Sequence, residues 1–410
     1  MSITALPAYC FNILLMVLRK KICIVFLILI VFAFPVVCNA DDNGSMMDSI
    51  IKPQLEGSEI KSLKKNLEES ITDEAKELFP QYSPGKLMEE LVRGNAGENI
   101  KSLPKAVVGT IIGEIRQNFG LLLKLIMIIF LTAMVKNLQS SFKESAVGEL
   151  AYFSCYGAIV TMLALGFQTV LRYAREVLDT IDKITGFAIP ALMTLLISSG
   201  NIVSGSALQP VLLIAIQGTV KIFRDVFLPL CLLSGILYIV SGLSDRIKVT
   251  GMADLIKQIV VWGMAGILTI YGSAAAIQGA VGGAVDGAVS KTAKTAISTM
   301  IPVAGKYMSD AADTILSCAM VIKNAAGIAT MIITLAVCLI PILKILAIAL
   351  LYQFAAAIVE PFAEERLYDC LSDISDCIKT IVGIVGAALF MFLLSVGTFL
   401  RAGGISGMMQ

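Results

Sequence analysis

Apolar runs close to twenty residues long recur from residue 119 to residue 400, and this recurrence constrains the fold more than any other feature. They cover 119–135, 150–171, 187–204, 226–243, 255–278, 325–343, 345–359 and 381–400, with a further interrupted run at 208–223. A bilayer core asks for about 20 apolar residues per helical crossing, so the pattern predicts seven to nine transmembrane helices. Only 15% of the residues are charged, against roughly 25% in soluble domains. Two boundaries are set by charge alone: Arg224 and Asp225 split one long region, and Lys344 divides another.

The ends of the apolar region differ in kind from it. Lys20 and Lys21 precede an apolar run ending in Cys38-Asn39-Ala40, which gives the layout of a signal peptide over 1–40. Met16 opens MVLRKK, an ordinary basic start for such a peptide, so translation from Met16 rather than Met1 is expected; an uncleaved anchor is the alternative. Residues 41–118 carry fourteen acidic and ten basic side chains. Ile60, Leu63, Leu67 and Ile71 recur there at helical steps, which predicts amphipathic helices outside the membrane. Ser83-Pro84 reads as a helix start and Gly94 as a stop. Cleavage outside would place Lys136 and Lys143, beyond the first span of the 119–278 transmembrane region, in the cytoplasm.

Polarity returns inside the apolar region at 301–327. On a helix, Lys306, Ser309, Asp310, Asp313, Ser317 and Asn324 fall in one arc, while Ile315, Leu316, Ala319 and Ile322 fall away from it. Carboxylates facing lipid are costly, so this stripe should meet water, another helix or the headgroup layer. It could line a conduit, lie as an interfacial amphipathic helix or form a polar seam between packed helices. Just before it, Gly279, Gly283 and Gly287 form overlapping GxxxG spacings that favour close helix packing. The sharper reading folds 279–324 back as a re-entrant hairpin within the bundle. Transmembrane helices resume over 325–410. Within them, 361–379 is two-faced, with Glu365, Asp369, Ser372, Asp373 and Asp376 opposite Leu367, Cys370, Leu371, Ile374, Cys377 and Ile378. That pattern suits an interfacial amphipathic helix.

Chemistry is sparse. The chain has no histidine, and its nine cysteines never form CxxC, so they read as buried small hydrophobes. No GK[ST] phosphate loop, GxSxG or HExxH occurs. No enzyme activity, cofactor or metal is expected, and a formal net charge of +1 does not suggest nucleic acid.

The order of these features resembles the stage III sporulation protein AE family. The residues that carry it are the 107–142 block VVGTIIGEIRQNFGLLLKLIMIIFLTAMVKNLQSSF, the segment IPVAGKYMSDAADTILSCAMVIKNAAG and the acidic CLSDISDC. The likeness covers nearly everything after Asp41, and residues 1–15 depart from it. It implies an all-α, polytopic helical membrane protein with a signal peptide and a small extracytoplasmic helical segment. It further implies a multi-pass subunit of the mother-cell membrane around the forespore. There it would join the other stage III sporulation A proteins and, indirectly, stage II sporulation protein Q in a transenvelope channel or secretion-like complex needed for forespore development. The residues alone also fit an ion-coupled secondary transporter, with Asp310 and Asp313 at its site, or a non-conducting assembly scaffold.

Overall fold

A computed structural model of the chain describes residues 57–71, 83–92, 103–141, 146–201, 205–206, 209–242, 249–300, 305–361 and 365–402. The expected signal peptide and the choice between Met1 and Met16 lie outside these residues. Among the described residues every regular element is helical. In chain order they are α1 (Ser58–Ser70), α2 (Pro84–Val92), α3 (Leu103–Ser141), α4 (Ala146–Ser198), α5 (Gln209–Ile222), a π-helical turn (Phe223–Phe227), α6 (Leu228–Ser241), α7 (Thr250–Met300), α8 (Gly305–Val359) and α9 (Glu365–Arg401).

Five helical stretches are long and apolar enough to cross a membrane, with a shorter apolar stretch at Leu123–Val135. The difference from the seven to nine runs of the sequence is one of continuity. Runs 150–171 and 187–204 begin and end on or near α4, runs 325–343 and 345–359 share α8, and α5 and α6 are joined through the π-helical turn. Lys344 leaves the backbone helical, because a lone lysine removes no backbone hydrogen bond. Gly327 also leaves α8 unbroken; a Cβ there would strike the Leu400 side chain, so its smallness serves the packing against α9. One helix end has an explicit cause. At the end of α4 the Gly200 N–H donates to the Ile197 carbonyl and the Asn201 N–H to that of Leu196, with Gly200 at φ 87°. This is a Schellman cap, which needs a residue that tolerates the left-handed region.

The long helices pair side by side. α4 and the α5–α6 arm are antiparallel: Arg224 meets Asp179, Phe167 packs on Gly235, and the Tyr156 hydroxyl donates to the Ile239 carbonyl at 3.3 Å. α8 is antiparallel to α4, with Leu316 beside Gly200, Lys344 over the Tyr173 ring and the Tyr352 hydroxyl against Gly166. α9 returns along α8, where Ser375 Oγ donates to the Ala349 carbonyl at 3.0 Å. α7 returns along α6, where Ser234 Oγ donates to the Ala253 carbonyl at 2.9 Å and the Tyr238 hydroxyl to Asp254 at 2.6 Å.

α9 is buried at its centre, and threonines within α8 are satisfied by their own helix: Thr330 and Thr334 donate to the carbonyls four residues back, at 2.8 Å each. The apolar side of 361–379 forms the opening turns of α9. Leu367, Cys370, Leu371, Ile374, Cys377 and Ile378 are all buried against protein. Cys231, Cys318 and Cys338 are buried free thiols as well. Ile60, Leu63 and Leu67 fasten α1 to α4, and Leu87 and Met88 of α2 are buried, α2 packing against α8. α2 begins at Pro84, with the Ser83 carbonyl accepting from the Leu87 N–H.

Candidate functional site

Helices α4, α7 and α8 have 53, 51 and 55 residues. At 1.5 Å per residue each is about 80 Å long, far more than the roughly 30 Å of bilayer hydrocarbon. The heights at which charge sits along them therefore matter. The antiparallel pairings bring the charges of four elements to one height near the middle of α4. Arg224 of the π-helical turn reaches Asp179 at 2.7 Å and Asp225 at 3.0 Å. Lys344 of α8 lies 3.9 Å from Glu114 of α3 and 5.4 Å from the Tyr173 ring centroid. Arg172 stands over the same ring at 5.5 Å.

The backbone is irregular at this height too. The π-helical turn Phe223–Phe227 carries Arg224, and Pro341 interrupts the hydrogen-bond ladder of α8 three residues before Lys344. Single π turns inside α-helices often mark functional sites.

Beside this belt a cleft of about 1290 Å³ opens between α4 and α6. Phe167, Leu171, Leu232, Ile236 and Ile239 give it apolar walls, and Arg172, Arg175, Glu176, Asp179 and Lys183 give it charge along one stretch of α4. Glu69 and Ser70, at the end of α1, close part of it. Asp179 is engaged by Arg224, whereas among the described residues Arg175, Glu176 and Lys183 have no ion-pair partner. Among the described residues no group of His, Cys, Asp and Glu has the arrangement of a metal site.

The polar stripe of the sequence stands at the other end of the bundle. The backbone places Lys306, Ser309, Asp310 and Asp313 on the first turns of α8, and side chains are described from Thr314 onward. Ser317 is exposed, and Asn324 is half-buried with its Oδ1 enclosed and unpartnered. Ile315, on the opposite arc, is also exposed, so this end of α8 shows both faces. Gly279, Gly283 and Gly287 all lie on α7, which runs unbroken to Met300, before α8 begins at Gly305. Segments 279–300 and 305–324 are thus the far ends of two long helices.

Two residue sets escaped the sequence reading. One is the cleft, whose signal was present in the mixed run 172–183 and in the Arg224-Asp225 interruption. The other is Lys323, buried next to the stripe but outside its arc, whose ammonium donates to the Ala402 carbonyl.

The family model for Stage III sporulation protein AE matches residues 82–403. The chain belongs to the stage III sporulation protein AE family. A curated relative, Stage III sporulation protein AE of Bacillus subtilis (strain 168), is 32% identical over 333 residues, covering 81% of this chain and 83% of the relative. No solved structure matches the chain. The stage III sporulation protein AE match includes α2 to α9, and hence the α4 and α6 walls of the cleft, the charged belt and the α8 stripe.

Proposed function

We propose that this sporulation protein is an integral membrane subunit of the stage III sporulation A transenvelope channel, between mother cell and forespore, and is needed for forespore development. Its partners would be the other stage III sporulation A proteins and, through them, stage II sporulation protein Q.

The observation that carries this reading is a contrast across the bundle at one height. On one flank, the α4 cleft exposes Glu69, Arg175, Glu176 and Lys183 beside the apolar Leu165 and Ile236. On α7, which packs along α6, Trp262 and Ile270 are each 72% exposed, with Ile259 and Ile277 also exposed. Phe227 of the π-helical turn packs on Gly263, which brings Trp262 level with Arg224. The exposed apolar face of α7 runs on past both ends of this stretch, from Met252 to Val289, and is more than long enough to cross the roughly 30 Å hydrocarbon layer. Charges held at the height of lipid are costly unless hydrated or paired. The arrangement suits a subunit with lipid behind α7 and an aqueous passage before α1 and α4. The stripe on α8 would then continue the polar lining towards one end.

Single cysteines test this in a chain whose nine native cysteines are replaced. A membrane-impermeant maleimide applied to membranes from sporulating cells is expected to modify Glu69→Cys, Arg175→Cys and Lys183→Cys, and to spare Ile259→Cys and Ile270→Cys. The reverse pattern overturns the proposal.

A further inference from the structure

The walls of the cleft carry both signs of charge within little more than one helical turn. Arg172 and Arg175 project from α4 one turn apart, and Glu176 follows directly. Lys183 stands two turns further on, and Asp179 between them is taken up by Arg224. What remains for a visitor is the Arg175 guanidinium, the open edge of the Arg172 guanidinium stacked over Tyr173, and one carboxylate. Neither Arg175 nor Glu176 is satisfied by another described side chain. A ligand with one sign of charge would meet attraction and repulsion together in this cleft. A small molecule with an anionic group two or three bonds from an ammonium would meet attraction at both ends.

We propose that the α4 cleft is a binding station for small zwitterions of the amino-acid class. Arg172 and Arg175 take the carboxylate, and Glu176 takes the ammonium. Guanidinium groups suit a planar carboxylate because their donors form a fixed fork. A cleft of about 1290 Å³ is wider than such a solute. Binding is therefore weak, as a passage requires: favourable enough to enter and loose enough to leave. This assignment rests on the aqueous reading of the α1–α4 flank given above. A zwitterionic phospholipid headgroup shares the chemistry, with chains laid on Leu165 and Ile236, so the test separates the two sources.

The full chain in lipid nanodiscs is dialysed to equilibrium against radiolabelled glycine, acetate or methylamine. These probes carry both charges, the negative charge alone and the positive charge alone. Glycine is expected to be retained about tenfold more strongly than either fragment, the scale of one additional charge-assisted hydrogen bond. Arg175→Gln and Glu176→Gln should each bring glycine down to the level of the fragments. The exchanged pair Arg175→Glu with Glu176→Arg should recover part of the difference, which a merely misfolded cleft would not. Equal retention of all three probes, or of none, overturns the assignment. So does displacement of glycine only by nanodiscs enriched in phosphatidylethanolamine, which makes the occupant a lipid. If Arg175→Cys is open to the impermeant maleimide while glycine is not retained, this inference alone fails. If that thiol is closed as well, the aqueous reading fails with it.

Discussion

The Lys323 ammonium of α8 donates to the backbone carbonyl of Ala402, just past the last turn of α9. The lysine is only 1% exposed, and among the described residues no acidic side chain forms an ion pair with it. Its partner is instead a helix terminus, where the last carbonyls lack intrahelical donors and the aligned peptide dipoles concentrate negative charge. Gly327, one turn along α8, lets Val396 and Leu400 close over the same junction. A buried charge is thus answered by backbone, and α8 is locked to α9 beside Asn324, where the polar stripe ends.

Lys323→Met tests this lock. Methionine keeps an unbranched stem but leaves the Ala402 carbonyl without its donor, a loss of about 1–3 kcal/mol for a buried group left unmade. Thermal unfolding of the solubilised protein should shift down accordingly. An unchanged or raised midpoint would mean that burying the ammonium costs as much as its bond returns.

The pair Arg224–Asp179 makes a different prediction, because both side chains are partly open to solvent. Such a pair contributes only about 0.2–1 kcal/mol to stability. Arg224→Gln is therefore expected to leave the melting profile close to that of the parent while reducing heat-resistant spores, since it frees Asp179 into the cleft. The exchanged pair Arg224→Asp with Asp179→Arg should restore spores. A variant that melts early and sporulates in proportion to its remaining folded protein would assign the pair to stability alone.

Asp310 and Asp313 carry the third expectation. If the α8 stripe lines an aqueous path, the double change Asp310→Asn with Asp313→Asn should leave co-purification with the other stage III sporulation A proteins intact and halt forespore development. Normal spore yield from this variant would make the stripe a packing seam.

Much of the architecture was legible in the residues, for local reasons. The steps between Ile60, Leu63 and Leu67 mark a helix face whichever surface covers it, and all three are buried. The same holds for Leu367, Cys370, Leu371, Ile374, Cys377 and Ile378. Pro84 starts α2 and α8 stops at Val359, before Pro361, because proline's missing donor and fixed torsion act within one turn. Charges were poorer guides to helix ends. Arg224-Asp225 and Lys344 read as breaks between spans, yet the chain stays helical through both. A charged side chain changes what a helix costs in lipid and leaves its backbone bonds in place.

The sequence by itself determined that this is an all-helical chain with enough apolar length to cross a membrane several times, and which faces of α1 and of the opening turns of α9 are buried. Helical periodicity and hydrophobic length are properties of consecutive residues, so neighbours in the chain suffice to read them. The tertiary structure alone decided that Arg224 meets Asp179, that Lys344 sits over Tyr173 and that Lys323 closes the end of α9. Those meetings depend on the register of one helix against another, and register follows from how bulky side chains fill the spaces beside Gly166, Gly235 and Gly327. Charges far apart in the chain, from Glu114 to Lys344, become one belt only when that packing sets their heights.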